Sequence, residues 1–474
     1  MQMKPKHCGK PMHRMYIRKG TKDRKWFPVG YYCSVCTKMI RNVDVIMHTR
    51  REAILSKPDF VSNPQIIILD IGECLTKVGF GGEKEPRFIF DSILYYDENN
   101  KSFIQKSDYL ETKRTIKSQV EIFDEAGSNF NLEAGECFLN HVFEALEVNP
   151  ENKSIVILEK SYKNNYVEYL YGRKDVINNT TLSEEIREKL REKKRIEYVN
   201  YDKYVNFPRR KITTLLFDSF KIARIYFSNG ELLSLYTNKV VTGLVVNIGA
   251  KTTRIIPVFE GFIVTHAISV RDVGTEQVLD SIKESLDINQ IVSDKSNHLQ
   301  YLANKRIRLA SEEFCYISLD LSSEKERSLD DGKLQKHINL FNDKYVVFDQ
   351  LRFLATESLF KKEELSTTRK KGTLAEAIIE TVQKCDIDLV TPLFGSILLT
   401  GGGTLYEGME ERLKAELITK VPKQIGFNII SKPNRLNSSW TGGSILCSLK
   451  TFNKLWVTKE EYNEKGSSAV DRCI

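Results

Sequence analysis

The sequence predicts an α/β protein built from two similar halves that face a cleft, with a small extra module at its N-terminus. Three observations carry that expectation. The stretches "IIILDIGECLTKVGF" and "GLVVNIGAKTTRI" repeat one plan 177 residues apart: an apolar run, Asp70 or Asn247, an isoleucine, Gly72 or Gly249, then an outgoing strand. A third glycine turn, Gly401 to Gly403 in "ILLTGGGTLYEGMEERL", follows an apolar strand at 397–400 and opens a helix. Ahead of all three, the first 60 residues hold the grouped cysteines Cys8, Cys33 and Cys36.

At 474 residues and 41% hydrophobic content, the chain is long enough for a large core and for two or three domains. It has no apolar run of about 18 or more residues, and its first residues lack the apolar centre of a signal peptide, so a soluble cytoplasmic protein is expected. The nine cysteines, an odd number and mostly isolated, fit reduced thiols better than a disulfide framework. The net charge of +8 is uneven: residues 1–60 hold 14 Lys and Arg against 4 Asp and Glu. That basic segment suits a nucleic acid or another acidic partner, or simply a solvated surface.

In the N-terminal module, taken as residues 1–48, Cys8 precedes a glycine turn and Cys33-x-x-Cys36 follows the aromatic strand "WFPVGYYC". Thiolates presented on two turns across a hairpin resemble a zinc ribbon, in which tetrahedral zinc staples strands too few to form a core. The pattern lacks one cysteine, because Pro5 stands where it would fall. The fourth ligand would be His13, with His7 as its alternative and His48 a more distant choice. Residues 49–64 read as a linker, and 65–474 as the main body.

Each repeated hairpin offers backbone N–H groups that grip phosphates from one side of a cleft, while the third turn allows close approach of a nucleoside. Lys77 would add a point charge against the phosphates. Any one glycine turn is an ordinary feature of hairpins; three in this order are specific.

The main body resembles the actin family, within the larger group that includes the Hsp70 ATPase domain and the sugar kinases. The likeness is densest in "SSWTGGSILCSLKTFNKLWVTKEEYNEKGSSAVDRCI", "PVFEGFIVTHAI", "LLTGGGTLYEGMEERL" and "KCDIDL". It implies two RNase H-like α/β domains around ATP or ADP and a divalent cation such as Mg2+. By that resemblance Asp70, Gly72, Lys77, Asn247, Gly249, Arg308, Glu312, Gly401, Gly402 and Tyr406 are the nucleotide-binding set.

The same comparison marks departures. Glu73 and Cys74 replace the serine and glycine of the first loop, and a carboxylate near a γ-phosphate would repel it unless Glu73 turned away. Asn247 and Ala250 replace the two acids of the second hairpin, Lys251 a loop glycine and Arg254 a histidine. Gly230 stands where the family places its water-positioning glutamine. Hydrolysis needs a positioned nucleophile and a metal that neutralises developing charge, so turnover is expected to be slow or absent. Lys251 either replaces part of a missing cation or is a solvated loop lysine. Ser311 and Leu436 stand at two of the family's lysine positions near the nucleoside.

The loop that grips the next subunit of a filament is shortened between "SILYYDENN" and "KSFIQKSDYLETKR", and "FKKEELSTTRKKG" replaces an apolar plug with charge. An actin-like homopolymer is therefore disfavoured. Tyr236, Phe262, Ile445, Leu446, Leu449 and Thr451 match the groove that receives partner helices, or are plain packing residues. Residues 161–210 form an insertion with a charged helix at "EEIREKLREKKRI", capped by Thr181 or Ser183, either a solvated face or a docking arm. The expectation is an adenine-nucleotide-binding scaffold with weak or lost hydrolysis. It suits an archaeal or early-branching factor in either a cytoskeletal or a chromatin setting. The rivals are a filament-forming ATPase, in which Glu73 or Lys251 restores catalysis, and a nucleic-acid-binding zinc-ribbon factor with a structural body.

Overall fold

The computed structural model describes residues 60–97, 102–105, 118–121, 130–160, 207–288, 297–330, 335–341, 344–361 and 372–473, together with the backbone of short strands between residues 6 and 41. In that N-terminal part, Lys6–His7 pairs with Lys10–Pro11, and His13–Lys19, Lys25–Tyr32 and Met39–Arg41 form a three-stranded antiparallel sheet. The expected zinc set (Cys8, Cys33 and Cys36, with the side chain of His13 or His7) falls outside the described residues, as does His48. Most of the 161–210 insertion, residues 98–101 and 106–117 around the shortened filament loop and the charged stretch at 362–371 lie outside them as well.

Two mixed sheets organise the main body. The first uses β1 (Asn63–Ile71), β2 (Leu75–Gly81), β3 (Phe88–Asp91), β4 (Ser154–Glu159), β5 (Arg224–Asn229) and, from the far end of the chain, Val457–Thr458. Its order is Val457–Thr458, β5, β4, β1, β2, β3, with β5, β4 and β1 parallel and β1–β2–β3 an antiparallel meander. The second uses β6 (Gly243–Ile248), β7 (Thr253–Phe259), β8 (Phe262–Ile263), β9 (Ser269–Arg271), β10 (Ile397–Thr400) and β11 (Ile429–Ile430). Its order is β8, β7, β6, β10, β11, with β9 also on β7 and with β6, β10 and β11 parallel.

The sequence explains which strands are central. Ile66 to Leu69 and Ile155 to Leu158 are continuous apolar runs, as expected of parallel strands covered on both faces, and all eight residues are buried. Around them Phe138, Val142, Leu216 and Phe227 build one core. A second core gathers Leu244, Val246, Ile248, Ile255, Ile307, Ile378 and Leu399 about the other sheet. The helix Leu374–Gln383 that closes this core starts at a capping box, Thr373 with Glu376.

The helix Ser438–Ser448 belongs to the first core even though it follows the second sheet in the chain. Its Trp440 is fully buried and donates from Nε1 to the Ile68 carbonyl at 3.3 Å. This crossing ties the end of the chain to β1, and so to the first glycine hairpin. Among the described residues, no helix is long and apolar enough to cross a membrane.

Candidate functional site

The two hairpins are equivalent in backbone terms. Gly72 N–H donates to the Leu75 carbonyl and Gly249 N–H to the Thr252 carbonyl, each at 2.9 Å. Register then places Asp70 opposite Lys77 and Asn247 opposite Arg254. In the first hairpin that pair is ionic, Lys77 Nζ standing 3.5 Å from the Asp70 carboxylate. In the second it is not, because Asn247 carries no charge and Arg254 must look elsewhere for an anion.

It finds one on the opposite hairpin. Arg254 Nη2 donates to Glu73 Oε1 at 2.7 Å, the Lys251 N–H donates to Glu73 Oε2 at 2.9 Å, and the Thr252 hydroxyl donates to Glu73 Oε1 at 2.9 Å. Lys160, one residue beyond β4, brings its ammonium to 3.4 Å of the same carboxylate. Burial pushes the Glu73 carboxyl up. The charges of Lys160 and Arg254, with the hydrogen bonds from Arg254 and the Lys251 N–H, outweigh that and hold it well below the usual carboxylate range. A carboxylate here is expected either to weaken phosphate binding or to have another role, and the Glu73 side chain spans the gap between the hairpins.

Cys74 makes the same crossing. Its thiol donates to Glu276 Oε1 at 3.2 Å, and Glu276 lies in the first turn of the helix Thr275–Ser285. That turn is itself fastened to the second hairpin, since the Thr275 and Glu276 N–H groups donate to the Gly249 and Ala250 carbonyls. Burial and the neighbouring carboxylate push the Cys74 thiol up to about 12, so it stays protonated as a donor. The two residues that depart from the family in the first loop are thus the two that join it to the second.

Asn247 donates from Nδ2 to Glu231 Oε1 at 3.3 Å, and Glu231 is 1% exposed. Gly230 precedes it at the start of a short helix capped by Asn229. Glu73, Lys160, Arg254 and Glu231 therefore form a half-buried group of two acids and two bases. Lys160 and Glu231 are not part of the sequence-based set. Both stand immediately past the carboxyl ends of parallel strands, the crevice where α/β sheets place their ligands, and that position is the signal that would have found them.

On the nucleoside side, Arg308 bridges Glu312 at 3.0 Å and Asp91 at 3.9 Å. The buried Tyr406 shares a hydrogen bond of 3.0 Å with Ser311. Gly401 has φ +88°, and a Cβ there would stand 2.4 Å from both Asn247 Oδ1 and the Ile248 carbonyl oxygen. The third turn is thereby pressed onto the end of β6. Gly402 faces open space, with Leu436 Cδ1 3.8 Å from where its Cβ would be. Lys77 Nζ donates to the Leu436 carbonyl at 2.7 Å. Of the expected groove residues, Tyr236, Phe262, Ile445, Leu446 and Leu449 lie together in the first core at 3–4% exposure, with Thr451 half-buried beside them.

Around the third turn, Gly402 and Glu312 are exposed and Gly401 and Arg308 half-buried. The amide, hydroxyl and guanidinium of the second hairpin are already bonded to Glu73. Among the described residues there is no group of three or more His, Cys, Asp or Glu that could hold a metal ion. Compared with known families, the chain matches the family model described as Actin over residues 61–167 and 198–474, well over half its length.

Proposed function

The chain belongs to the actin family, and we propose that within it this protein is a scaffold that binds adenine nucleotide between two RNase H-like domains and turns it over slowly or not at all. The observation that carries the reading is the Glu73 crossing. A hairpin whose amide, hydroxyl and guanidinium are held by the protein's own carboxylate is organised for rigidity rather than for moving a phosphate.

The remaining residues support the same division of labour. Gly401 and Gly402 would admit the nucleoside, with Arg308 and Glu312 at its edge and Tyr406 supporting the turn from below. When bound, Mg2+ would supply charge neutralisation at the phosphates; Asn247 and Ala250 bring no carboxylate to orient it. Gly230 has no side chain to position a water. Nucleophile and metal are the two devices hydrolysis depends on, and at Gly230, Asn247 and Ala250, where the family supplies them, this chain carries neither a glutamine nor an acid.

In this reading the scaffold recruits protein partners through the 161–210 insertion and, if the helix Ser438–Ser448 shifts, through the groove residues beside it. The basic N-terminal module would hold zinc through Cys8, Cys33, Cys36 and His13 or His7 and engage an acidic partner such as nucleic acid. The test is direct. Purified full-length protein should bind ADP in calorimetry, release little phosphate from ATP with magnesium, and stay in the supernatant on high-speed centrifugation. Phosphate release that rises with protein concentration, with sedimentable polymer, would refute the scaffold and favour the filament-forming ATPase.

A further inference from the structure

We infer that the Glu73 carboxylate is a built-in stand-in for the terminal phosphate of a nucleoside triphosphate, so that this cleft excludes triphosphates. The inference rests on the nucleotide-binding reading above and names the phosphate class the site will take.

Glu73 is held as an oxyanion ligand would be. Its two oxygens accept from one backbone amide, one hydroxyl and one guanidinium, all within 2.7–2.9 Å, with an ammonium at 3.4 Å. Convergent amide, hydroxyl and guanidinium donors are the chemistry that recognises phosphate. What sets this case apart is the source of the anion, which comes from the facing hairpin of the same chain. Arg254 is 6% exposed and lies opposite an uncharged Asn247, and the carboxylate it meets at 2.7 Å is that of Glu73.

The space is also taken. A Cβ added at Gly249 would stand 3.4 Å from Glu73 Oε2, so the carboxylate is seated against the turn. Cys74 fixes the loop from its other side through Glu276. A third phosphate would have to displace the carboxylate from Arg254 and then share the cleft with it as a like charge. On this inference a diphosphate, one group shorter, would leave the crossing intact. Lys77, engaged by Asp70 and the Leu436 carbonyl, belongs to the first hairpin and is not consumed by this crossing.

The test measures ADP and ATP binding by calorimetry, with and without magnesium, to the full-length protein and to Glu73→Gln and Glu73→Ala. The expected result is ADP bound at least tenfold more tightly than ATP by the natural chain, with that ratio lost or reversed in both variants. Because either variant removes the carboxylate that Lys160 and Arg254 meet in the cleft, melting is followed in parallel. Inorganic phosphate at millimolar concentration should raise the melting temperature of Glu73→Ala and leave the natural chain unchanged. Equal binding of ADP and ATP by the natural chain overturns the inference while the nucleotide-binding scaffold stands. So does an unchanged ratio in the variants, or failure of both phosphate and ATP to restore their stability. Gain of ATP binding by the variants from a natural chain that binds neither nucleotide supports the stand-in and refutes nucleotide binding by the natural protein. Absence of binding in every protein overturns both, since no phosphate site then exists to be filled.

Discussion

Replacing Arg254 with methionine should loosen the two hairpins, and the structure sets the size of the effect. Arg254 is buried and donates to Glu73 at 2.7 Å. Removing one member of a buried pair typically costs about 3–5 kcal/mol, because the remaining charge is left uncompensated. Here Glu73 keeps the Lys251 amide, the Thr252 hydroxyl and Lys160 at 3.4 Å, so the expected loss falls to about 2–3 kcal/mol. Unfolding entropy is about 2.1 cal/mol/K per residue, so a cooperative unit of about 200 residues would melt ~5–7 °C lower; a chain melting as one unit would shift by ~2–3 °C. Differential scanning calorimetry of Arg254→Met, Glu73→Gln and the double variant is the assay. If the crossing is real, the double variant melts close to the worse single one, because the two substitutions remove a shared interaction. Additive shifts in the double variant, or a change below about 1 °C in Arg254→Met, would show that Glu73 and Arg254 do not hold each other.

Three further outcomes follow from the same structure. Gly401→Ala should cost roughly 2–4 kcal/mol, since its φ of +88° disfavours any side chain and the new Cβ would meet Asn247 and the Ile248 carbonyl at 2.4 Å; Gly402→Ala, with only Leu436 at 3.8 Å, should be nearly silent in the same melting experiment. Thiols at Cys74 and Cys385 are pushed up to about 12, and those at Cys315 and Cys473 to about 11, first by burial. A folded-state value raised above the ordinary 9 means that their contribution is complete below pH 9 and lost above it. Stability in reducing buffer should therefore fall from about pH 9, by up to ~1.4 kcal/mol per pH unit for each thiol; a flat profile to pH 10.5 would refute this. If the basic segment engages DNA or RNA rather than being a solvated surface, the full-length protein should bind it with an affinity that falls steeply with salt. Removing residues 1–60, where 14 Lys and Arg face 4 Asp and Glu, should abolish that binding; retention by the truncated chain would place the basic contact elsewhere.

The hairpins were legible in the sequence because their signals are local. An apolar run, a polar residue at the strand end and a glycine two positions later define the turn at Gly72 and again at Gly249, and the same backbone hydrogen bond closes both. The third turn was legible for the same reason, and Gly401 confirms it with a backbone angle that only glycine adopts readily. What Glu73 does was not legible, because its partners Lys251, Thr252 and Arg254 lie 178 to 181 residues away and nothing within the first loop points toward them. Lys160 and Glu231 read as ordinary charges in sequence; only their place at strand ends shows that they share one crevice. The groove residues illustrate the reverse limit: a family pattern brought Tyr236 and Leu449 together, and the packing then buried both.

The substitutions around the cleft make physical sense as one redistribution of charge. Suppose the second hairpin had kept an acid at position 247: register would set it directly opposite Arg254, as Asp70 is set opposite Lys77, and the hairpin would satisfy itself. With asparagine there, Arg254 would be a buried cation without its cross-strand anion, a costly arrangement unless another carboxylate arrives. Glu73 is that carboxylate, and because it comes from the first hairpin the ion pair becomes a cross-link between sheets. Glu231, bonded to Asn247, and Lys160, beside Glu73, complete the balance from the ends of β5 and β4. A carboxylate within the second hairpin could keep Arg254 with one oxygen and turn the other toward a ligand, whereas Glu73, reaching over from the first, has both oxygens on its donors. Moving the acid therefore trades a group that could act on a ligand for one that holds the protein closed, and this is why loss of catalysis and gain of rigidity are expected together.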